Sequence, residues 1–159
     1  MSLLPLRPIT LYSRWTHTTS SPAVIVPVRR VLKKCRYTDL RADTAIRTGI
    51  ILQQAISIQV YLQDDLEYIP FNEWRLLKHD EGETDGYFSF EIGGSNNSIV
   101  FLGETSHEFR EGLLSDVAAQ EVAFINAQRP NALRISDFQD NVTFAPSVRT
   151  AHWLLRGGT

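Results

Sequence analysis

The chain has 159 residues, is 43% hydrophobic and 21% charged, and carries a formal net charge of -2. That size suits one ordinary domain spanning residues 1–159, and the balance of apolar and charged residues excludes wholesale disorder. Near-neutral charge gives no bulk electrostatic reason to bind nucleic acid; the lone cysteine, Cys35, excludes an internal disulfide framework and reads as a free buried thiol.

The opening MSLLPLRPITLYSRW is broken by Pro5 and Pro8 and has no basic stretch ahead of an apolar run, so no secretory leader is expected. Ile9 to Tyr12 predicts a short strand, followed by a polar stretch from Trp15 to Ser21. Pro22 and Pro27 then fence an apolar run that suits an edge or a barrel rim, because proline donates no ladder hydrogen bond. Arg29 to Tyr37 alternates apolar and basic residues and predicts a half-exposed strand. Asp39 to Gly49 is polar and ionic, with Asp39, Arg41, Asp43 and Arg47, and predicts a long loop near residues 39–50 of the kind that carries contacts. Ile50 to Leu62 is the longest apolar region, but Gln53, Gln54, Ser57 and Gln59 interrupt it, so a soluble chain is expected.

Ala55 to Leu62 is the clearest half-buried strand, with Ile56, Ile58, Val60 and Leu62 on one face. Tyr68 to Pro70 is extended, Asn72 is placed to cap a short helical turn over Glu73 to Lys78, and His79 to Gly86 is acidic turn material. Tyr87 to Ile92 and Ser98 to Leu102 predict a hairpin around Gly93–Asn97. Leu114, Val117, Ala118, Glu121, Val122 and Ile125 fall at helical spacing, which predicts one helix near residues 114–126 with Ser115 as its cap. Two closing strands follow, Ala132 to Phe138 and Ser147 to Arg156, with Arg149, Ala151, Trp153 and Leu155 sharing a face in the second. Short strands parted by glycine, proline and asparagine turns around one helix predict a mainly β fold, a small barrel or a sandwich.

The chemistry is sparse. His17, His79, His107 and His152 are scattered, with no pair at the spacing of a compact metal site, and His152 reads as a packed strand residue. Gly93-Gly94 has no helix after it to hold a phosphate, and Asp80 to Asp85 lacks the ligand ladder of a calcium loop. No catalytic residue, cofactor or metal is therefore expected, and a binding or structural role is favoured over an enzyme. Arg29, Arg30, Lys33 and Lys34 form the one basic cluster, which suits phosphate contacts if the barrel binds single-stranded nucleic acid.

Several stretches carry a family pattern. Ile9 to Arg14, Val31 to Tyr37, Tyr68 to Pro70 with Glu73-Trp74, and Gly86 to Phe90 through Ile99 to Glu104 occur in order. Ile135 to Asn141 with Pro146 to Trp153 closes the series. In these the chain resembles the minor capsid or head-completion proteins of tailed bacteriophages. It departs from them at Gly94-Ser95, where an acidic residue is usual, and at Val142-Thr143-Phe144, where a basic residue and glycine are usual.

The resemblance implies a homo-oligomeric ring in the virion neck, assembled in the bacterial cytoplasm, below the portal, closing the head or joining it to the tail. Its partners would be portal or adaptor proteins and tail-completion proteins, with transient contact to packaged DNA and none to a membrane. Asp39, Arg41, Asp43 and Arg47 would then face the channel or a neighbouring subunit. An adaptor or tail-completion ring is the alternative within the same neck, and a single-strand-binding barrel is the alternative outside it.

Overall fold

A computed structural model describes residues 5–17, 21–39, 56–93, 97–143, 145–147 and 151–158. Among them six strands close into an antiparallel barrel: β1 (Arg7–His17), β2 (Val24–Asp39), β3 (Ile56–Tyr61), β6 (Ile99–Phe101), β7 (Ala132–Asn141) and β8 (His152–Gly158), in the order β1-β2-β3-β8-β7-β6. Closure leaves the short β6 no free edge, since β1 lies on one side of it and β7 on the other. The two remaining strands, β4 (Glu67–Tyr68) and β5 (Tyr87–Phe88), pair in parallel outside the barrel. The described residues also form two α-helices, α1 (Phe71–Trp74) and α2 (Leu114–Gln128), and a 3-10 turn at His79–Glu81.

β1 is much longer than the predicted Ile9–Tyr12, because both of its faces are covered. Ile9 and Leu11 point into the barrel core, while Tyr12 packs outward against Phe109 and Phe124 of the α2 layer. Seven consecutive residues, Ile9 to Trp15, are consequently buried, which hides the period of two that marks a half-exposed strand. β2 likewise merges the two apolar segments on either side of Pro27 into one strand. Ile25 exchanges backbone hydrogen bonds with Gly112, on the side away from β1, and Pro27, two residues on, turns its donor-less nitrogen the same way.

A bulge resets the alternation at Lys33-Lys34: Arg7 pairs with Cys35 and Ile9 with Leu32, so both Leu32 and Cys35 face inward. Burial pushes the Cys35 thiol up to about 12, so it stays protonated and inert, as a buried lone cysteine should. The free backbone of the bulge is met by Gln63, whose side-chain oxygen accepts from Lys34 N at 3.1 Å and whose amide donates to Lys34 O at 3.1 Å.

The predicted hairpin of Tyr87–Ile92 with Ser98–Leu102 closes only at its base, where Ser98 N donates to Glu91 O at 2.9 Å, and forms no ladder beyond it. Tyr87 and Phe88 pair with Glu67 and Tyr68, while Ile99–Phe101 joins β1 and β7. The segment between β3 and β6 instead leaves the barrel, and Phe88 and Phe90 return to its core beside Trp153. α1 begins earlier than predicted, with Pro70 rather than Asn72 at its cap, and α2 is capped at Leu113, with Ser115 inside the first turn. Proline suits that entry because its nitrogen has no hydrogen to leave unpaired. Asp39, placed at the start of the polar loop, is the last residue of β2, opposite Ile56.

Candidate functional site

The two ends of β3 define the two ends of the barrel, about 17 Å apart for a six-residue strand. At the Ile56 end lie Asp39 and Gly157, both facing Ile56 across the ladder, and the connection 40–55 joins the strands there. Arg41, Asp43 and Arg47 of the predicted contact loop lie outside the described residues.

At the Tyr61 end aromatic rings close the barrel. Tyr68 sits 4.7 Å from Trp153 and 5.6 Å from Phe90, and Phe88 meets Trp153 edge-on at 5.8 Å. Above this plug is a cleft of about 720 Å³, walled in part by Asp64, Asp65, Glu67, Tyr68, Asp140 and Trp153. Asp140, predicted to be in a loop, lies in β7 opposite Trp153, and its carboxylate accepts from Val142 N at 2.8 Å and Thr143 Oγ1 at 3.1 Å. Burial, reinforced by the charges of Asp140 and Glu73, holds the Tyr68 hydroxyl proton up to about 12. The cleft is thus a negative, aromatic-floored mouth.

The predicted basic cluster is not a patch. Arg29 and Arg30 are neighbours in a strand and so leave opposite faces. Arg29 Nε donates to Thr105 O at 2.6 Å, strapping the segment before α2 onto the barrel. Arg30 turns the other way and donates to Tyr87 O and Thr84 O, each at 2.9 Å, and burial lowers its pKa. Lys34 Nζ meets Asp64 at 2.7 Å at the rim of the acidic mouth, leaving Lys33 exposed. Three of the four cations therefore hold the fold together, in three directions.

A second cluster escaped sequence reasoning. Glu121, on the buried face of α2, receives Arg14 through both carboxylate oxygens, the Nε bond being 3.1 Å, and Arg134 at 3.1 Å. Arg14 and Glu121 are 7% and 3% exposed, so this pair clamps the helix to β1 away from water. Glu91 stands by the same charges with Oε2 buried and without a hydrogen bond. Burial pushes its carboxyl up to about 7 despite the opposing pull of Arg14 and Arg134. The available signal was Glu121 itself, a charge within an apolar helical stripe.

The four histidines are used separately: His17 meets Asp80 at 3.0 Å, His79 meets Thr84 at 2.5 Å, His107 stacks on Phe124, and His152 meets Asn141 at 3.2 Å. Among the described residues no three metal-ligating side chains gather, and no helix is long and apolar enough to cross a membrane. No protein-family model, curated protein or solved structure matches the chain.

Proposed function

We propose that this chain is a structural subunit of a tailed-phage neck, assembling as a ring below the portal to close the filled head and connect it to the tail. The observation that carries the reading is a closed barrel with two distinct ends, the Tyr61 end being plugged by aromatic rings beneath an acidic cleft. A stacked ring needs that asymmetry, because it meets one neighbour above and a different one below. The family resemblance of the closing strands and the central segment supports the same assignment. Ring closure itself requires only a heterologous side-to-side contact whose rotation closes, for which a stiff barrel is a suitable body.

In this reading Arg29, Arg30 and Lys34 are structural, Arg41, Asp43 and Arg47 contact neighbouring subunits or the channel, and the barrel does no chemistry. Within the neck, the strand-dominated fold favours the head-completion position over a helix-rich adaptor. The test is localisation: gold-labelled antibody against this protein, applied to purified particles from the phage or prophage that encodes it. Label at the head–tail junction is expected; label on the capsid shell or tail tip, or on no part of the particle, overturns the assignment.

A further inference from the structure

We infer that the outward ridge of helix α2 is an interface with a second copy of this chain, the two helices crossing antiparallel about a two-fold axis at Ala118. The inference goes beyond the neck reading and stands without it, since a two-fold contact is distinct from the side-to-side contact of a ring.

The inner face of α2 is Val117, Glu121 and Phe124, all buried. A helix covered on that side alone normally carries charge on the other. Yet Asp116 and Glu121 are the only charges in its fifteen residues, and Glu121 is turned into the barrel wall between Arg14 and Arg134. Of the six large apolar side chains exposed among the described residues, three lie here: Leu113, Leu114 and Val122, at 43%, 50% and 53% exposure. Leu114, Ala118 and Val122 follow at four-residue spacing and so line up as one ridge. A single exposed leucine is ordinary, whereas a continuous apolar ridge marks a contact.

The ridge is complementary to itself. Its small residue is central and its large ones terminal, so a two-fold axis at Ala118 lets the helices approach closely there and sets Leu114 of each copy beside Val122 of the other. Val122 also borders a cleft of about 250 Å³, walled by Ile125, Ala132 and Leu133 and flanked by Arg129. That is below the roughly 300–1,000 Å³ of small-molecule sites and suits an inserted leucine. Charge agrees with the antiparallel sense. Exposed Glu108, Glu111 and Asp116, against Arg110 alone, surround the start of the helix, while the exposed Arg129 stands just past its end. The two-fold axis brings each acidic start to the other copy's basic end, and a parallel pairing would set like charges together.

Sedimentation velocity on the purified full chain, run over a series of concentrations, reads the monomer–dimer equilibrium, and a dimer is expected. Val122→Glu should weaken it about tenfold, as for the loss of a central apolar anchor, while an unchanged circular dichroism spectrum reports that the variant remains folded. Ala118→Cys, at the axis, should oxidise to a disulfide-linked dimer with its own copy. Ser57→Cys should not, because it is exposed on β3, which lies across the barrel from β6, where α2 packs. Cys35 is fully buried and does not compete. A chain that stays monomeric throughout, or a dimer indifferent to Val122→Glu, overturns the inference. So does a dimer that Val122→Glu weakens but Ala118→Cys does not cross-link, since that result gives the ridge to a contact without the two-fold axis.

Discussion

Glu91 is a carboxyl whose environment works against its charge. Its Oε2 is buried without a hydrogen bond, and the two nearby arginines both hydrogen-bond Glu121. With the proton held up to about 7 instead of the usual 4.5, the folded state binds a proton that the unfolded state releases. Below the unfolded value both states are protonated and the group is neutral toward stability. As pH rises from there through about 7 the ionised form must be buried, and stability falls. Glu91→Gln keeps the shape and removes the titration, so its urea midpoint should fall less than that of the wild type between pH 5 and pH 8. Contributions common to both proteins drop out of the comparison; parallel pH slopes would contradict the assignment. None of this was legible in the sequence, because Glu91 stands beside Arg14, Glu121 and Arg134 only after the chain has folded.

At the scale of elements, helix α2 and strand β8 each carry, besides apolar packing and ladder pairing, one feature whose loss is testable. For α2 it is Glu121, packed at the barrel wall between Arg14 and Arg134. Glu121→Ala leaves Arg14 buried without its carboxylate and should cost about 3–5 kcal/mol, measured by urea unfolding. Replacing Arg14 and Glu121 together with methionine should cost less than the two single losses summed, since the cost lies mainly in the orphaned charge. For β8 the feature is Gly157, where an added Cβ would lie 2.4 Å from Leu133 Cδ1 and 2.8 Å from the carbonyl oxygen of Arg134. Leucine can yield and the backbone cannot, so Gly157→Ala should destabilise by about 1–3 kcal/mol; an unchanged urea midpoint would contradict that packing.

The elements also show what local pattern can and cannot carry. β3 was read correctly from its alternation, because one face is buried and the other open. β1 was cut short and β2 split because burial on two faces, a bulge and an edge proline each break that alternation. The missed partner of β5 lies across a helix and a turn, with backbone pairing that no alternation records.

As a whole molecule the protein is a mainly β barrel with, among the described residues, one long helix, the class that its strand and turn signals predicted. Its closure is a long-range property, set by β8 returning to β3 and β6 to β1, and only the class could be read from the residues. The candidate contacts divided in the same way. The basic run was visible but belongs to the framework, whereas the acidic mouth assembles from the segment after β3, β4, β7 and β8, and no single stretch announces it. In the neck reading that mouth is one of the two faces of a stacked ring.

The most direct test is electron microscopy of the lysate from the encoding phage or prophage with this gene deleted. The account predicts intact tails beside unattached heads that have lost their DNA, restored to joined particles when the gene is supplied in trans. Normal, joined, infectious particles from the deletion would contradict it.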